Sequence, residues 1–181
     1  MLYIMRHGKT DWNEQYRLQG RTDIPLNEEG IRMAQEAAVK YKEIPFDICF
    51  VSPLLRARKT AELLLAGRKV DIVPDDRLQE ISFGKYEGTR NVFQHPECPI
   101  YNFFQDPTHY RAVDGAESYE ELFARTGEFL QERVMPLLAE NKTVLIVGHG
   151  AMNNSIISRL RGIPLERFWE TAIPNCELIQ V

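Results

Sequence analysis

The chain has 181 residues, of which 44% are hydrophobic and 27% charged, a composition typical of a globular domain whose core needs no disulfides. Its net charge of -4 gives no bulk attraction to nucleic acid or acidic membranes, so we expect neither as a partner. The three cysteines are widely separated and form no CxxC pair, which argues against a zinc site or a disulfide framework. Because the chain opens on a strand-like run and has no apolar run of transmembrane length, we expect a reduced, cytoplasmic protein.

Five short apolar runs predict β-strands, and helical patterns lie between them. The strand-like runs are 2–5, 47–52, 71–74, 143–148 and 176–181. The first and fourth are apolar without alternation, as expected for central parallel strands covered on both faces. Strands that alternate with helices of this length predict an α/β fold with helices on both faces of the sheet.

Capping residues predict where the helices begin. Asn27 is a candidate N-cap for a helix within 27–43, and Ser52 is a candidate for the next helix, with Pro53 at its first position. The run SYEE, which begins at Ser118, has the spacing of a capping box. Pro136 is expected to kink or restart that third helix, and a fourth follows directly after the fourth strand.

The segment 84–117 departs from this alternation. It is rich in proline and aromatic residues, which favours a lid or an insertion rather than core. We therefore expect one domain over 1–181 that carries this lid. His95 and His109 lie among its prolines and are interpreted as solvated, and its aromatic residues as packing for the lid, with a role in lining a pocket left open.

Two of the apolar strands end in a His-Gly pair. The stretch YIMRHGKT contains His7 and Gly8, and LIVGHGAM contains His149 and Gly150. In open α/β sheets, ligands bind at the carboxyl ends of strands, so neighbouring strands would place the two histidines across one crevice. The glycines would let backbone N–H groups approach a ligand closely.

The residues around these histidines indicate a phosphoryl group as the ligand. Arg6 precedes His7, and Arg56 lies in the first turn of the second helix, where guanidinium groups and a helix N-terminus favour phosphate. Asn13 adds a neutral donor. Nearby cations lower the pKa of a histidine, so His7 is predicted to be a neutral nucleophile that forms a phosphohistidine, and His149 to stabilise the transferring group.

An alkoxide leaving group needs a proton, and Glu80 in RLQEISFG is the predicted acid. Glu87 in KYEG is the competing carboxylate. No acidic cluster with metal-ligand spacing accompanies these residues, so a mechanism without metal or cofactor is expected.

Five motifs in order are RHGKTDWN, LQGRTDIPLNEEG, VSPLLRARKTAELL, LQEISFGKYEG and VGHGAMNN. Together they resemble the histidine phosphatase superfamily, which includes cofactor-dependent phosphoglycerate mutases, over residues 2–153. The resemblance implies a three-layer α/β/α sandwich with a mostly parallel central sheet and a phosphohistidine intermediate.

The resemblance also implies roles for individual residues. His7 matches the nucleophile and Glu80 the proton donor. The other matched positions bind phosphate, at Arg6, Asn13, Arg56 and His149, or substrate, at Gln19 and Gly20. Three positions depart from the usual pattern: Lys9, which would add positive charge at the rim of the pocket, Tyr86, and the first glycine of GHG.

The expected function is hydrolysis of a small phosphorylated metabolite, with α-ribazole phosphate as one specific candidate. A phosphoglycerate mutase is the alternative, but it needs additional positive charge, and 91–110 contains no Lys or Arg. Two further hypotheses stay open: a non-catalytic module that binds phosphorylated ligands, and a metal-dependent hydrolase with His7 and His149 as ligands. The oligomeric state is expected to be a monomer or a homodimer.

Overall fold

The computed structural model describes residues 1–181 and contains one five-stranded sheet with the spatial order β3-β2-β4-β1-β5. All five predicted strands are present, and the α/β/α architecture is confirmed. Neighbouring strands are parallel except for β5, which pairs antiparallel with β1 at the edge of the sheet. The strands are β1 Leu2–Arg6, β2 Ile48–Val51, β3 Asp71–Pro74, β4 Val144–Gly148 and β5 Leu178–Gln180.

Seven α-helices and several single turns of 3₁₀-helix connect the strands. The α-helices are α1 Asp11–Glu14, α2 Glu28–Lys40, α3 Leu55–Leu64, α4 Tyr101–Gln105, α5 Tyr119–Phe129, α6 Met135–Ala139 and α7 Gly150–Arg161. The longest 3₁₀ segment, Leu165–Thr171, lies between α7 and β5.

The sheet is covered on both faces because its central strands alternate between two apolar cores. In β4, Val144 and Ile146 belong to a core cluster that includes residues of α5 and α7, while Leu145 and Val147 belong to a second cluster with residues of α2 and α3. All four side chains are completely buried. A strand of this kind cannot alternate between apolar and polar residues, which explains its continuous apolar sequence.

Two of the three predicted N-caps are confirmed and one is wrong. Asn27 accepts the N–H of Gly30 at the start of α2, and Ser118 forms the capping box of α5. The predicted cap at Ser52, with Pro53 as first helical residue, is incorrect, because α3 begins at Leu55. The Ser52 hydroxyl contacts His149 instead.

The helix restarts near Pro136, as one of the two predicted outcomes: a π-helical turn over Leu130–Val134 follows α5, and α6 begins at Met135, one residue before the proline.

The proline-rich segment 84–117 packs onto the core. Val92, Ile100, Phe103 and Tyr110 are almost completely buried and belong to the same cluster as residues of β1 and β4. The expectation that this segment contributes nothing to the core is therefore incorrect for its inner face.

The two histidines of this segment are exposed, as expected. His95 pairs with Glu97, and His109 pairs with Asp106.

No helix of the chain has both the length and the apolar character needed to cross a membrane.

Gly8 and Gly30 allow the loop after β1 to contact α2 through backbone atoms alone. A Cβ at Gly30 would lie 2.1 Å from the carbonyl oxygen of Lys9, and a Cβ at Gly8 would lie 2.6 Å from the carbonyl oxygen of Gly30. The peptide groups on both sides cannot move aside as a flexible side chain would. This contact fixes the path of the chain directly after His7.

Replacing Gly30 by alanine should destabilise the protein by about 1–3 kcal/mol, the usual cost of overpacking. At a helical position without this contact, replacing glycine by alanine would raise the free energy of unfolding by about 1 kcal/mol. The sign of the change in this free energy therefore shows whether the contact restricts the position. The free energy of unfolding is measured by urea titration. Gln35→Ala on the exposed face of the same helix is the control, and a Gly30→Ala protein as stable as that control would contradict the packing argument.

Candidate active site

The parallel pairing of β1 with β4 places the two histidines side by side. Arg6 and Gly148 are register partners at the ends of these strands, so His7 and His149 are the next residues on each strand. Their ring centroids are 5.1 Å apart. Both side chains are buried, and the predicted adjacency is confirmed.

Hydrogen bonds orient the imidazole rings differently. Nδ1 of His7 lies 2.6 Å from the carbonyl oxygen of Gly8, which can only accept, so Nδ1 carries the proton and Nε2 keeps its lone pair. In His149 the other ring nitrogen makes the contact: Nε2 lies 2.7 Å from the Ser52 hydroxyl, and Nδ1 is buried without a partner. His7 thus has a free nucleophilic nitrogen.

Both imidazoles are held in the uncharged form. Burial, followed by the positive charges of Arg56 and Arg6, holds the pKa of His7 well below its ordinary value of 6.5. Burial and the same Arg56 charge also hold the pKa of His149 well below that value. A neutral imidazole among cations is the state required for attack on a phosphorus atom.

The two arginines keep unused donors in the site. Arg56 is completely buried; its Nη atoms donate to the carbonyl oxygens of Thr22 and Gly20, while its Nε has no partner. Arg6 donates from Nη1 to the carbonyl of Ile173, and its Nε is also buried and unpartnered. Burial lowers the pKa of Arg56 to about 10, which leaves it charged at neutral pH. Buried N–H groups without acceptors are costly, and an anion would satisfy them.

The C-terminal segment fixes the strand that carries the first histidine. Asn175 donates from its side-chain amide to the carbonyl of His7, and the N–H of Cys176 donates to the carbonyl of Arg6. Both bonds come from residues just before β5. The end of β1 is therefore held from both sides, by β4 and by this segment.

Glu80 lies at the first turn of α7. Its two carboxylate oxygens accept the N–H groups of Ala151 and Met152, together with that of Ile81. Glu80 also lines the cavity that contains His7. The carboxylate is thus both positioned by a helix N-terminus and directed towards the histidine pair.

Glu87 performs a structural task. Its carboxylate accepts the N–H groups of Arg21, Thr22 and Phe83, as well as the Thr22 hydroxyl. These bonds shape the loop whose carbonyls at Gly20 and Thr22 hold Arg56. Glu87 does not line the cavity, which favours Glu80 over Glu87 as the acid.

Three predicted site residues remain, Asn13, Gln19 and Gly20, and the side chains of the first two make hydrogen bonds within the protein. Asn13 accepts the N–H of Thr10 with its side-chain oxygen and so caps α1, but its amide nitrogen has no partner within the protein. Gln19 likewise accepts from the Thr10 hydroxyl. Both residues line the cavity, as does Gly20.

Gly8 and Gly150 were both predicted to offer a backbone N–H to a ligand, and only Gly150 has a free one. Gly150 lines the cavity, where its N–H, at the start of α7, makes no hydrogen bond within the protein. The N–H of Gly8 donates to the Thr60 hydroxyl, so it is not available to a ligand and that expectation is wrong.

The cavity has a volume of about 140 Å³, and its lining includes Arg17 and Trp169, which the sequence did not single out. Phe104, one of the aromatic residues of 84–117 for which a pocket-lining role was left open, also lines it and stacks on Trp169 with ring centroids 5.1 Å apart. The side chain of Lys9 is not part of the lining, so its expected place at the pocket rim is incorrect. No group of three or more His, Cys, Asp or Glu side chains in the chain is arranged to hold a metal ion.

A phosphoglycerate mutase-like sandwich with paired strand-end histidines defines a known class of protein. The model of the histidine phosphatase superfamily (branch 1) matches residues 2–181, and the chain belongs to this superfamily.

Two curated relatives show the level of similarity. An uncharacterized phosphatase, PhoE of Bacillus subtilis, is 34% identical over 168 residues, which are 88% of this chain and 76% of PhoE. The 2-carboxy-D-arabinitol-1-phosphatase of Triticum aestivum is 31% identical over 96% of this chain, which spans only 35% of the wheat protein.

Solved structures share the same architecture. YhfR of Bacillus stearothermophilus superposes with a TM-score of 0.88 at 30% identity, covering 98% of this chain and 88% of YhfR. The α-ribazole phosphatase of Shigella flexneri gives a TM-score of 0.81 at 27% identity, covering 98% of this chain and 87% of that protein.

The two buried histidines should remain uncharged in the folded protein at pH 5.5, because burial and the arginines hold their pKa values below 6.5. The chain has four histidines, so a His95→Gln/His109→Gln variant leaves only this pair for ¹⁵N NMR of the ring nitrogens. In urea both rings should titrate near pH 6.5. Stability should therefore fall as the pH drops below 6.5, since the unfolded chain then binds more protons. Either ring titrating near 6.5 in the folded state would contradict the assignment.

Proposed function

We propose that this phosphatase of the histidine phosphatase superfamily hydrolyses a small phosphorylated metabolite through a covalent phosphohistidine at His7. The observation that carries the proposal is a pair of uncharged, buried imidazoles 5.1 Å apart, beside two arginines with unsatisfied N–H groups. A phosphoryl group would accept from these donors, while Nε2 of His7 supplies the electron pair.

In the first step, Nε2 of His7 attacks the phosphorus atom and the ester P–O bond breaks. The carbonyl of Gly8 accepts the Nδ1–H of His7 and so stabilises the positive charge that develops on this ring. Arg6, Arg56 and His149 stabilise the negative charge on the transferring group. Glu80 donates a proton to the leaving oxygen, so that the alcohol departs neutral.

In the second step, the Glu80 carboxylate takes a proton from a water molecule as the water attacks phosphorus. The P–N bond breaks, the electron pair returns to His7, and inorganic phosphate is released. Glu80 is then protonated again and His7 is neutral, so the starting state is restored. Every group in this cycle belongs to one chain, which is compatible with a monomer or a homodimer.

A mutase would instead return the phosphoryl group to a second acidic substrate. The basic residues that line the cavity are Arg6, Arg17 and Arg56. This charge is too small for a bisphosphorylated carboxylate, which favours hydrolysis. Formation of 2-phosphoglycerate from 3-phosphoglycerate without release of phosphate would establish the mutase.

The similarity to the Shigella α-ribazole phosphatase makes α-ribazole phosphate a candidate substrate. Two other hypotheses differ in kind. A non-catalytic binding module would give equal, near-zero rates for the wild type and His7→Ala. A metal-dependent hydrolase would lose activity with a chelator.

Alkaline quenching during turnover should trap a phosphorylated His7, because the intermediate precedes hydrolysis. Peptide mass spectrometry should find a mass increase of one PO₃H unit on the peptide that contains His7. His7→Ala should lack this adduct and lose at least about a thousandfold in kcat, a typical effect for a nucleophile. An active wild-type protein that never shows the adduct would refute covalent catalysis.

Glu80→Gln should lower kcat about 10²- to 10⁴-fold for alkyl phosphates, the usual contribution of a general acid. For p-nitrophenyl phosphate the loss in the first step should be much smaller, because p-nitrophenolate leaves without a proton. Pre-steady-state release of p-nitrophenol isolates that step.

Glu87→Gln is the matched control for this prediction. It should lower the melting temperature by disturbing the 20–22 loop and reduce activity on both esters to the same extent. If Glu87→Gln, rather than Glu80→Gln, discriminates between the two leaving groups, Glu87 is the acid.

A further inference from the structure

Glu80 lies in a segment of the chain that has no regular secondary structure. Residues 79–82 follow a single 3₁₀ turn, Asp76–Leu78, and belong to no strand or helix. No backbone N–H donates to the carbonyl oxygens of Arg77, Gln79 or Glu80. A segment without such bonds does not by itself fix the position of a side chain, so other contacts must hold the backbone at Glu80 in place.

Arg125, on α5, supplies hydrogen bonds that the backbone does not make. Its Nη1 atom donates to the carbonyl oxygen of Arg77 at 2.6 Å and to that of Gln79 at 2.8 Å. The Arg125 side chain is only 15% exposed, and its guanidinium spans the residues directly before Glu80. Carbonyl oxygens withdrawn from water are costly without a donor, so these two bonds stabilise one path of the backbone before Glu80.

Glu117 fixes the guanidinium of Arg125 and also contacts the chain after Glu80. Its two carboxylate oxygens accept Nε at 2.6 Å and Nη2 at 2.9 Å, which is a two-point ion pair. The backbone N–H of Glu117 donates to the Ser82 carbonyl, and its carboxylate accepts the Ser82 N–H. The pair of Arg125 and Glu117 therefore holds the segment on both sides of Glu80.

The other contacts of this segment do not orient its peptide groups as firmly. Leu78 and Ile81 are completely buried, but apolar contacts are not directional. Arg21 donates from Nε to the carbonyl of Glu80 at 3.3 Å, but 42% of its side chain is exposed, so this bond competes with water. The directional, partly buried bonds come from Arg125.

We propose that Arg125, held by Glu117, is a positioning residue for proton transfer by Glu80. The proposal rests on the role of Glu80 as the acid in the proposed function. Arg125 does not line the cavity, so it acts through the backbone and without contact to the substrate. Proton transfer to the leaving oxygen depends steeply on distance, and a displacement of about 1 Å costs on the order of 10²-fold in rate.

The first test compares two esters that differ in their need for a proton. Benzyl phosphate releases an alkoxide, which must be protonated, whereas p-nitrophenolate leaves p-nitrophenyl phosphate without a proton. For both esters kcat/KM reports formation of the phosphohistidine, and an unfolded fraction of the enzyme lowers both values by the same factor. We expect Arg125→Met to lower kcat/KM about 10- to 100-fold more for benzyl phosphate than for p-nitrophenyl phosphate.

Arg77→Met is the matched control variant. Arg77 also forms a two-point ion pair, with Asp75, and lies in the 3₁₀ turn before Glu80. Its side chain donates to carboxylates and to no backbone carbonyl. Its replacement should lower the melting temperature and leave the ratio of the two kcat/KM values unchanged. An equal loss for both esters in Arg125→Met, or the same selective loss in Arg77→Met, would overturn the proposal.

Arg125→Lys is a second variant that does not leave the Glu117 carboxylate buried without a cation. A lysine carries its charge on one nitrogen and cannot reproduce the two-point ion pair together with both carbonyl contacts. The selective loss for benzyl phosphate should persist at about fivefold or more, the value of one lost hydrogen bond. A wild-type ratio in Arg125→Lys would show that the positive charge alone suffices, and would refute the positioning role.

Amide hydrogen exchange measures the position of Glu80 without turnover. The N–H groups of Ala151 and Met152 donate to the Glu80 carboxylate and serve as reporter amides. The N–H of Asn153, the next residue of α7, donates to the carbonyl of His149 and serves as the reference. Unfolding of the whole protein would accelerate exchange at all three amides, whereas displacement of Glu80 would affect the two reporters.

Arg125→Met should accelerate exchange at the reporter amides at least about tenfold relative to the reference, as measured by NMR, because local opening then exposes them. Arg77→Met should accelerate all three amides to the same extent. Reporter amides that exchange in Arg125→Met as they do in the wild type, relative to the reference, would refute the positioning role.

Failure of the proposed function has a different signature. If the wild type cleaves neither ester, or if Glu80→Gln shows no selective loss for benzyl phosphate, acid catalysis by Glu80 is refuted. The exchange measurement then decides alone whether Arg125 holds the Glu80 carboxylate. Faster exchange at the reporter amides in Arg125→Met would support this contact, and unchanged exchange would overturn it.

Discussion

The register between β1 and β4 is the constraint on which the site depends. Because Arg6 pairs with Gly148, β1 and β4 end side by side at the same edge of the sheet, and a histidine follows each strand. A shift of one residue would turn His7 or His149 to the opposite face of the sheet. The alternation of β4 between two apolar cores opposes such a shift, because it would exchange side chains that fit one core for side chains that fit the other. Core packing thus determines the distance between the imidazole rings.

Around this pair, hydrogen bonds from polar groups of the protein hold the other side chains of the site in place. Glu87 and the carbonyls of the 20–22 loop hold Arg56 in a fully buried position, and the first turn of α7 holds Glu80. Burial, followed by the charges of Arg56 and Arg6, lowers the pKa of His7 and so keeps its ring neutral. A site of this kind is preorganised for an anion, because its donors are already directed inward and need no rearrangement when a phosphoryl group arrives.

Much of this arrangement was predictable from the sequence, for identifiable reasons. A continuous apolar run predicts a buried strand, and histidines at the ends of two such strands can be predicted to lie close together. Ser52 was misjudged because a serine before a proline looks like a helix cap, whereas here its hydroxyl is used by His149 across the fold. Arg17 and Trp169 were missed because nothing local distinguishes them. Only the tertiary fold brings a loop after β1 and a 3₁₀ turn before β5 to the same cavity.

The position of β1 between β4 and the 173–180 segment has a consequence for biosynthesis. The strand that carries His7 is translated before both of its neighbours in the sheet, β4 and β5, and before Asn175, whose amide donates to the His7 carbonyl. A nascent chain that lacks β4 offers β1 no neighbour in the sheet, so β1 stays unpaired until the residues between β1 and β4 have been synthesised. Such long-range closure is slow and exposes an apolar segment meanwhile. The two histidines can therefore come together only after the residues of β4 have been added to the chain.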